Sequence, residues 1–228
     1  MSYVFTPPAT VSIPVAGSDD QFAVRRVYCV GRNYAAHARE MGADPDREDP
    51  FFFMKPADAI VPTGSTVPYP VKTRDYQHEI EMVVALKGGG RDVPKERALD
   101  LVYGYAVGLD MTRRDLQGEA KKMGRPWDMG KGFDQSAPCA PISPVSKVGH
   151  ISKGAIWLKV NGKDRQKSDL ELLIWSIPET ISYLSGLVTL APGDLIYSGT
   201  PEGVAAVVKG DKLEGHVDGL TDLSITIG

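Results

Sequence analysis

Apolar residues in this chain come in short runs of about four to eight, each closed by glycine, proline or charge, and this constrains the fold most. Such a run is too short for the three turns of a core helix but fills one buried strand. The 24 glycines and 17 prolines supply the interruptions. The runs VRRVYCVG (24–31), IEMVVAL (80–86), VYGYAVGLD (102–110), AIWLKVN (155–161), DLIYSGT (194–200) and LTDLSITI (220–227) predict strands. Asn161-Gly162 and Asp218-Gly219 carry hairpin-turn chemistry. Helices are expected in three places. NYAAHAREMG has Asn33 as cap and Gly42 as stop, and TRRDLQGEAKKMG has Thr112 and Asp115 at its start and Gly124 at its end. SIPETISYLSG sets Ser176 and Glu179 in capping-box register, with Pro178 in the first turn. The pattern reads as a β-rich α+β domain.

A chain of 228 residues with 42% hydrophobic content fits one domain, 1–228, with residues 1–20 as an N-terminal extension. The segment GADPDREDP (42–50) is too charged and broken to pack, so it is expected to be a mobile loop, and residues 33–50 together a lid. A net charge of -3 without a basic stripe excludes a nucleic-acid binder. No apolar stretch approaches membrane-spanning length and the first residues lack a leader pattern, so a soluble, cytoplasmic protein with small-molecule partners is expected. Cys29 and Cys139 lack CxxC spacing, which argues against a disulfide framework.

In DYQHEIEMVVAL (75–86) an apolar strand opens on two acids. Residues i and i+2 of a strand face one side, so Glu79 and Glu81 project together about 7 Å apart along the backbone, with His78 on the other face. Like charges so placed repel, and two solvated acids at a strand start are the plain alternative. Asp110 weakens that alternative, because it ends an apolar strand where a helix begins, a common way to deliver an acid into a cleft. Three carboxylates meeting at one point carry a charge of about -3, which on this reading only a hard divalent cation relieves. Oxygen ligation of Mg²⁺, with Mn²⁺ or Ca²⁺ as alternatives, is therefore expected at Glu79, Glu81 and Asp110. Zinc, which favours His and Cys, fits less well.

His37 and Glu40 stand at i and i+3, where a carboxylate can hold one imidazole nitrogen while the other accepts a proton. The alternative is an ordinary surface pair. His150 and His216 lie in turn-like contexts, so among the histidines only His37 has an evident orienting acid. Arg113, Arg114 and Gln117 follow Asp110, with Arg114 and Gln117 on one helical face; Lys131 falls in a short GKGF loop; and GTPEG (199–203) offers backbone N–H groups and the Thr200 hydroxyl. Singly, each reads as ordinary surface.

The order and wording of these pieces resemble the fumarylacetoacetate hydrolase family. The resemblance runs over nearly the whole chain, through GRNYAAHAREMG, FFFMKPADAIV, HEIEMVVAL, GYAVGLDMTRRDLQ, PWDMGKGFDQSAPCAPI, LKVNGKDRQ, IWSIPETISYLSGLVTLAPGDLIYSGTPEGV and GDKLEGHVDGLTDLSITI. It implies a mixed β-sandwich roll of that family's C-terminal domain type with a few short helices, working as a homodimer. It further implies one divalent cation on Glu79, Glu81 and Asp110, a water-activating dyad of His37 and Glu40, and Lys131 beside the metal. Substrate contacts are implied for Arg32, Arg114, Gln117 and Thr200. Lys121 stands where larger members carry a tyrosine. The implied activity is C–C hydrolysis of 2,4-dioxo acids of the acylpyruvate type, such as fumarylpyruvate from aromatic (gentisate) degradation. Oxaloacetate decarboxylation, and a non-catalytic metal-binding protein on the same scaffold, are the alternatives.

Overall fold

The computed structural model describes residues 2–40 and 48–228. Its larger sheet runs from Phe51–Lys55 through Arg26–Gly31, Asp194–Tyr197, Ile80–Leu86, Val102–Leu109 and Ala137–Cys139 to Ile60–Pro62, with Ser143–Pro144 also paired to Val102–Leu109. Its smaller sheet runs Lys163–Asp169, Ala155–Val160, Lys212–Val217, Leu223–Ile227, Thr66–Val67. Each sheet mixes parallel and antiparallel pairs. The expected strand-rich α+β architecture is what forms. No helix among the described residues is long and apolar enough to cross a membrane.

The central strand Ile80–Leu86 is buried at every position. Alternation sends Ile80, Met82, Val84 and Leu86 into one core with Ile156, Leu158 and Leu213 of the smaller sheet. Val83 and Ala85 enter a second core with Cys29, Cys139 and Tyr197. A large aliphatic side chain so buried contributes roughly 1.5–3 kcal/mol, which fixes the register of this strand and so the direction of its acids. The smaller sheet comes close to this strand at Gly215, where a Cβ would stand 2.6 Å from Ile80 Cδ1.

The Asn161-Gly162 turn forms as expected, with φ of 52° and 74° at the two residues, the signature of a type I′ hairpin. Asp218-Gly219 opens the longer connection 218–222 into the last strand. Ser176 N–H donates to Glu179 Oε2 at 3.1 Å at the head of the Ile177–Leu187 helix, so that capping box is present.

Other caps differ from expectation. Asn33 does not cap the Ala35–Glu40 helix; its amide donates to Trp175 O and Ser198 O and accepts from Trp175 N–H, joining three segments. The stop expected at Gly42 and part of the expected lid, residues 41–47, lie outside the described residues. Thr112 belongs to a short strand, Thr112–Arg113, paired with Tyr76–Gln77, and the helix starts only at Arg114. Asp115 instead holds the preceding loop, accepting from Thr73 Oγ1 at 2.6 Å and Arg74 N at 2.8 Å. Within the N-terminal segment, Ile13 packs into the second core while Tyr3, Val4 and Phe5 stay exposed.

Candidate active site

Glu81 lies in the Ile80–Leu86 strand and pairs with Gly108, and Asp110 N–H donates to Glu79 O one step further along the ladder. Glu79, Glu81 and Asp110 thus share one face, and one oxygen of each lies within 4.8 Å of the others. All three are buried. His78 faces away as expected, with Nδ1 2.9 Å from Gln166 Oε1.

The expectation that only a metal could relieve these charges is corrected. Lys131 Nζ reaches Glu79 Oε2, Asp110 Oδ2 and Thr112 Oγ1, each at 2.7 Å. Lys55 Nζ lies 2.8 Å from Asp110 Oδ1 and donates to the carbonyls of Met111 and Lys131. Arg114 donates through Nη2 to Glu79 Oε1. Three carboxylates therefore face three protein cations. Lys131 also departs from its expected loop, being 2% exposed at the end of the one-turn helix Asp128–Lys131. Lys55 is a site residue that sequence reasoning missed; the lone Lys ending the apolar run FFFMK was its available signal.

The compensation is uneven. Burial favours the neutral form of Glu79, yet Lys131 and Arg114 overcome it and hold this carboxyl far below its usual range. Among the described residues Glu81 has only the Gly199 N–H as a hydrogen-bond partner, at 2.7 Å, and burial beside the Asp110 and Glu79 carboxylates pushes its carboxyl well above the usual range. Burial also opposes charge on Lys131, but Asp110 and Glu79 outweigh it and raise its pKa, so it stays an ammonium. Gly199 can turn its N–H onto Glu81 because it holds φ at 98°, and a Cβ there would meet Asn33 Cβ at 2.6 Å.

A cavity of about 140 Å³ opens on this cluster, and Arg32, His37, Glu79, Glu81, Arg114, Gln117, Lys131 and Thr200 all line it. Glu40 stands behind His37, with Oε2 3.3 Å from Nδ1, and is itself held by Gly203 N–H. The expected metal ligands, the His37–Glu40 pair, Lys131 and the four expected substrate contacts therefore lie in or against one site, with Asp110 fully buried. Lys121 lines it too. Arg114 Nη1 donates to Gln117 Oε1 at 2.6 Å, which leaves the Gln117 NH₂ for a ligand. Arg113 turns away and lies over the Phe133 ring at 4.2 Å. The spacing suggested that only His37 had an orienting acid, but His216 Nδ1 and Nε2 reach Asp222 and Asp218 at 2.6 and 3.2 Å, on the surface and outside the cavity lining.

The donor set suits a divalent cation: three buried carboxylates converge, and among the described residues none forms an ion pair with Glu81. The cations Arg32, Arg114 and Lys131 and the Thr200 hydroxyl line the same cavity beside the apolar Val30, Phe51, Phe53 and Trp127, which fits an anionic ligand with an apolar part.

Comparison with known proteins agrees. The fumarylacetoacetate (FAA) hydrolase C-terminal family matches residues 26–228. A fumarylpyruvate hydrolase from Ralstonia sp is 47% identical over 190 residues, covering 82% of this chain and 98% of that protein. The mitochondrial oxaloacetate tautomerase FAHD1 of Homo sapiens is 43% identical over 203 residues, covering 89% and 91%. The crystal structure of fumarylpyruvate hydrolase from Pseudomonas aeruginosa in complex with Mn²⁺ and pyruvate superposes with a TM-score of 0.97 at 57% identity, covering 99% of each chain.

Proposed function

The chain belongs to the fumarylacetoacetate hydrolase C-terminal family, and from that premise we propose that it is a divalent-metal-dependent acylpyruvate hydrolase acting on fumarylpyruvate. The observation that carries this is one cavity lined by both the carboxylate cluster and the His37–Glu40 pair. The similarity to two fumarylpyruvate hydrolases supports the substrate.

Glu79, Glu81 and Asp110 would hold the cation, Mg²⁺ or Mn²⁺. When bound it supplies Lewis acidity and a template for the oxygens of a 2-oxo acid. The chain's own residues do the rest. Arg32, Arg114 and Thr200 hold ligand oxygens. With Nδ1 engaged by Glu40, His37 takes a proton from water at Nε2, and the hydroxide adds to the distal carbonyl of the 2,4-dioxo acid. The Gln117 NH₂ faces the oxyanion that forms, and the Lys131 ammonium, whose three donors are held by Glu79, Asp110 and Thr112, contributes its charge beside it. Its collapse breaks the bond between C3 and the acyl carbon, releasing the acyl group as a carboxylic acid, which gives its proton to solvent and leaves as a carboxylate, and the remainder as the enolate of pyruvate. His37 returns its proton to C3. Water has then supplied hydroxide to the acyl half and a proton to pyruvate, and for fumarylpyruvate the products are fumarate and pyruvate.

A second reading, action on oxaloacetate, is favoured by the 43% identity to an oxaloacetate tautomerase. Fumarylpyruvate, acetylpyruvate and oxaloacetate are to be assayed side by side with Mg²⁺ and with chelator. Metal-dependent release of fumarate, faster than any turnover of oxaloacetate, is the expected outcome; oxaloacetate turnover with no fumarate release would overturn the hydrolase assignment.

Metal loading is expected to be pH-dependent. The Glu81 carboxyl is raised by burial and its acidic neighbours, so below its pKa the metal-free site keeps a proton that a cation must displace. Cation affinity therefore rises with pH until Glu81 ionises. Calorimetric titration in buffers of different ionisation enthalpy should register release of up to about one proton per site in this window, and affinity independent of pH would contradict it.

A further inference from the structure

Gln166 lies in the Lys163–Asp169 strand of the smaller sheet and is wholly buried, so its amide must be satisfied by protein. Oε1 accepts from Ile80 N–H at 3.1 Å and faces His78 Nδ1 at 2.9 Å. Nε2 donates to Thr200 Oγ1 and to Pro201 O, both at 2.8 Å. The amide has no freedom to flip. Ile80 N–H can only donate and the Pro201 carbonyl can only accept, so each end of Gln166 is assigned by a partner of fixed polarity.

Two consequences follow along this chain of bonds. His78 carries its proton on Nδ1, since Oε1 opposite can only accept. Thr200 Oγ1 receives a proton from Gln166, while its own hydroxyl proton has no acceptor among the described residues. Thr200 is 3% exposed and lines the cavity, so that proton is offered to whatever the cavity holds. The same amide clamps the backbone at Ile80, between Glu79 and Glu81, and so ties the acidic strand to the turn that carries Thr200.

We propose that Gln166, held by Ile80 and His78, is a positioning residue that fixes the Thr200 hydroxyl as a hydrogen-bond donor, selecting ligands with a carboxylate or carbonyl oxygen there over ligands with an N–H or O–H. The proposal rests on the acylpyruvate reading and adds two residues, Gln166 and His78, that touch no substrate. Gln166→Glu is the informative substitution. It keeps an acceptor for Ile80 N–H and His78, but its other oxygen, once ionised, draws the Thr200 proton away from the ligand.

The test is calorimetric titration of pyruvate into the Mn²⁺-loaded protein. Loss of a hydrogen bond to a charged ligand oxygen predicts that Gln166→Glu and Thr200→Val each weaken pyruvate roughly tenfold or more. The effect of Gln166→Glu should grow with pH, and the double variant should bind no more weakly than Thr200→Val alone. Unchanged affinity in Gln166→Glu, or additive losses in the double variant, overturns the proposal. Should Gln166→Glu not fold, oxalate and oxamate decide it: the preference of the wild type for oxalate should shrink in Thr200→Val, and a preserved preference overturns the selection. If the loaded wild type binds no pyruvate, the acylpyruvate reading falls and the proposal with it; if the wild type binds and the variants bind alike, the proposal falls alone.

Discussion

Replacing His37 by alanine is expected to lower kcat for acylpyruvate hydrolysis by roughly 10²- to 10⁴-fold, the usual contribution of a positioned general base, and to leave divalent-cation affinity close to that of the wild type. The geometry separates the two roles. His37 lines the cavity but is not among the three carboxylates that converge, and its Nδ1 is committed to Glu40. Glu40 is in turn fixed by Gly203 N–H, so the imidazole is oriented from outside the carboxylate cluster. Steady-state kinetics with a parallel calorimetric titration of Mn²⁺ checks both halves. A full catalytic loss with intact cation binding supports the division; a tenfold or greater loss of cation affinity would show that His37 belongs to the metal centre instead.

How much of this was legible beforehand depends on what kind of physics places each residue. The strand Ile80–Leu86 was readable to the residue, because a continuous apolar run bounded by polar residues has few other solutions. Glu79 and Glu81 were readable as a same-face pair for the same reason. That Asp110 meets them depends on the register between two strands distant in sequence, with Glu81 opposite Gly108, and spacing alone does not contain it. Short elements such as Tyr76–Gln77 and Thr112–Arg113 exist only because they pair with each other, so local propensity is silent about them. Thr112 consequently looked like a helix cap.

The charged residues were misjudged in a consistent way. A lysine between glycines reads as surface, yet Lys131 is buried because three acceptors take its three donors. Lys55 ends an edge strand and would pass as solvated; its place is set by Asp110 and two carbonyls that come from elsewhere in the chain. His216 likewise acquires Asp218 and Asp222 from a turn rather than from helical spacing. In each case the chemistry belongs to neighbours that only the fold supplies, which is also why Gln166 gave no signal in LKVNGKDRQ.

The sharpest consequence of that uneven charge pairing concerns two of the carboxylates themselves. Glu81→Gln and Asp110→Asn are both expected to abolish cation binding and hydrolysis, since each removes an anionic oxygen from the cluster. Their effects on folding should differ. Asp110 takes Lys55 on Oδ1 and Lys131 on Oδ2, so its neutralisation leaves the buried Lys55 without its carboxylate and Lys131 with Glu79 alone, and breaking a buried pair in this way costs roughly 3–5 kcal/mol. Glu81 faces no cation directly and its carboxyl is already pushed toward the neutral form, by burial above all and then by Asp110 and Glu79. An amide there can still accept from Gly199 N–H, and it removes the repulsion between adjacent carboxylates. Glu81→Gln should therefore leave metal-free stability unchanged or raise it. Chemical denaturation of the metal-stripped variants measures both values. If Asp110→Asn proved as stable as the wild type, the lysines would have to be compensated by something other than this carboxylate; if Glu81→Gln proved as damaging as Asp110→Asn, Glu81 would be an ionised partner of the cations, and the uneven pairing that sets the pH dependence of metal loading would be wrong.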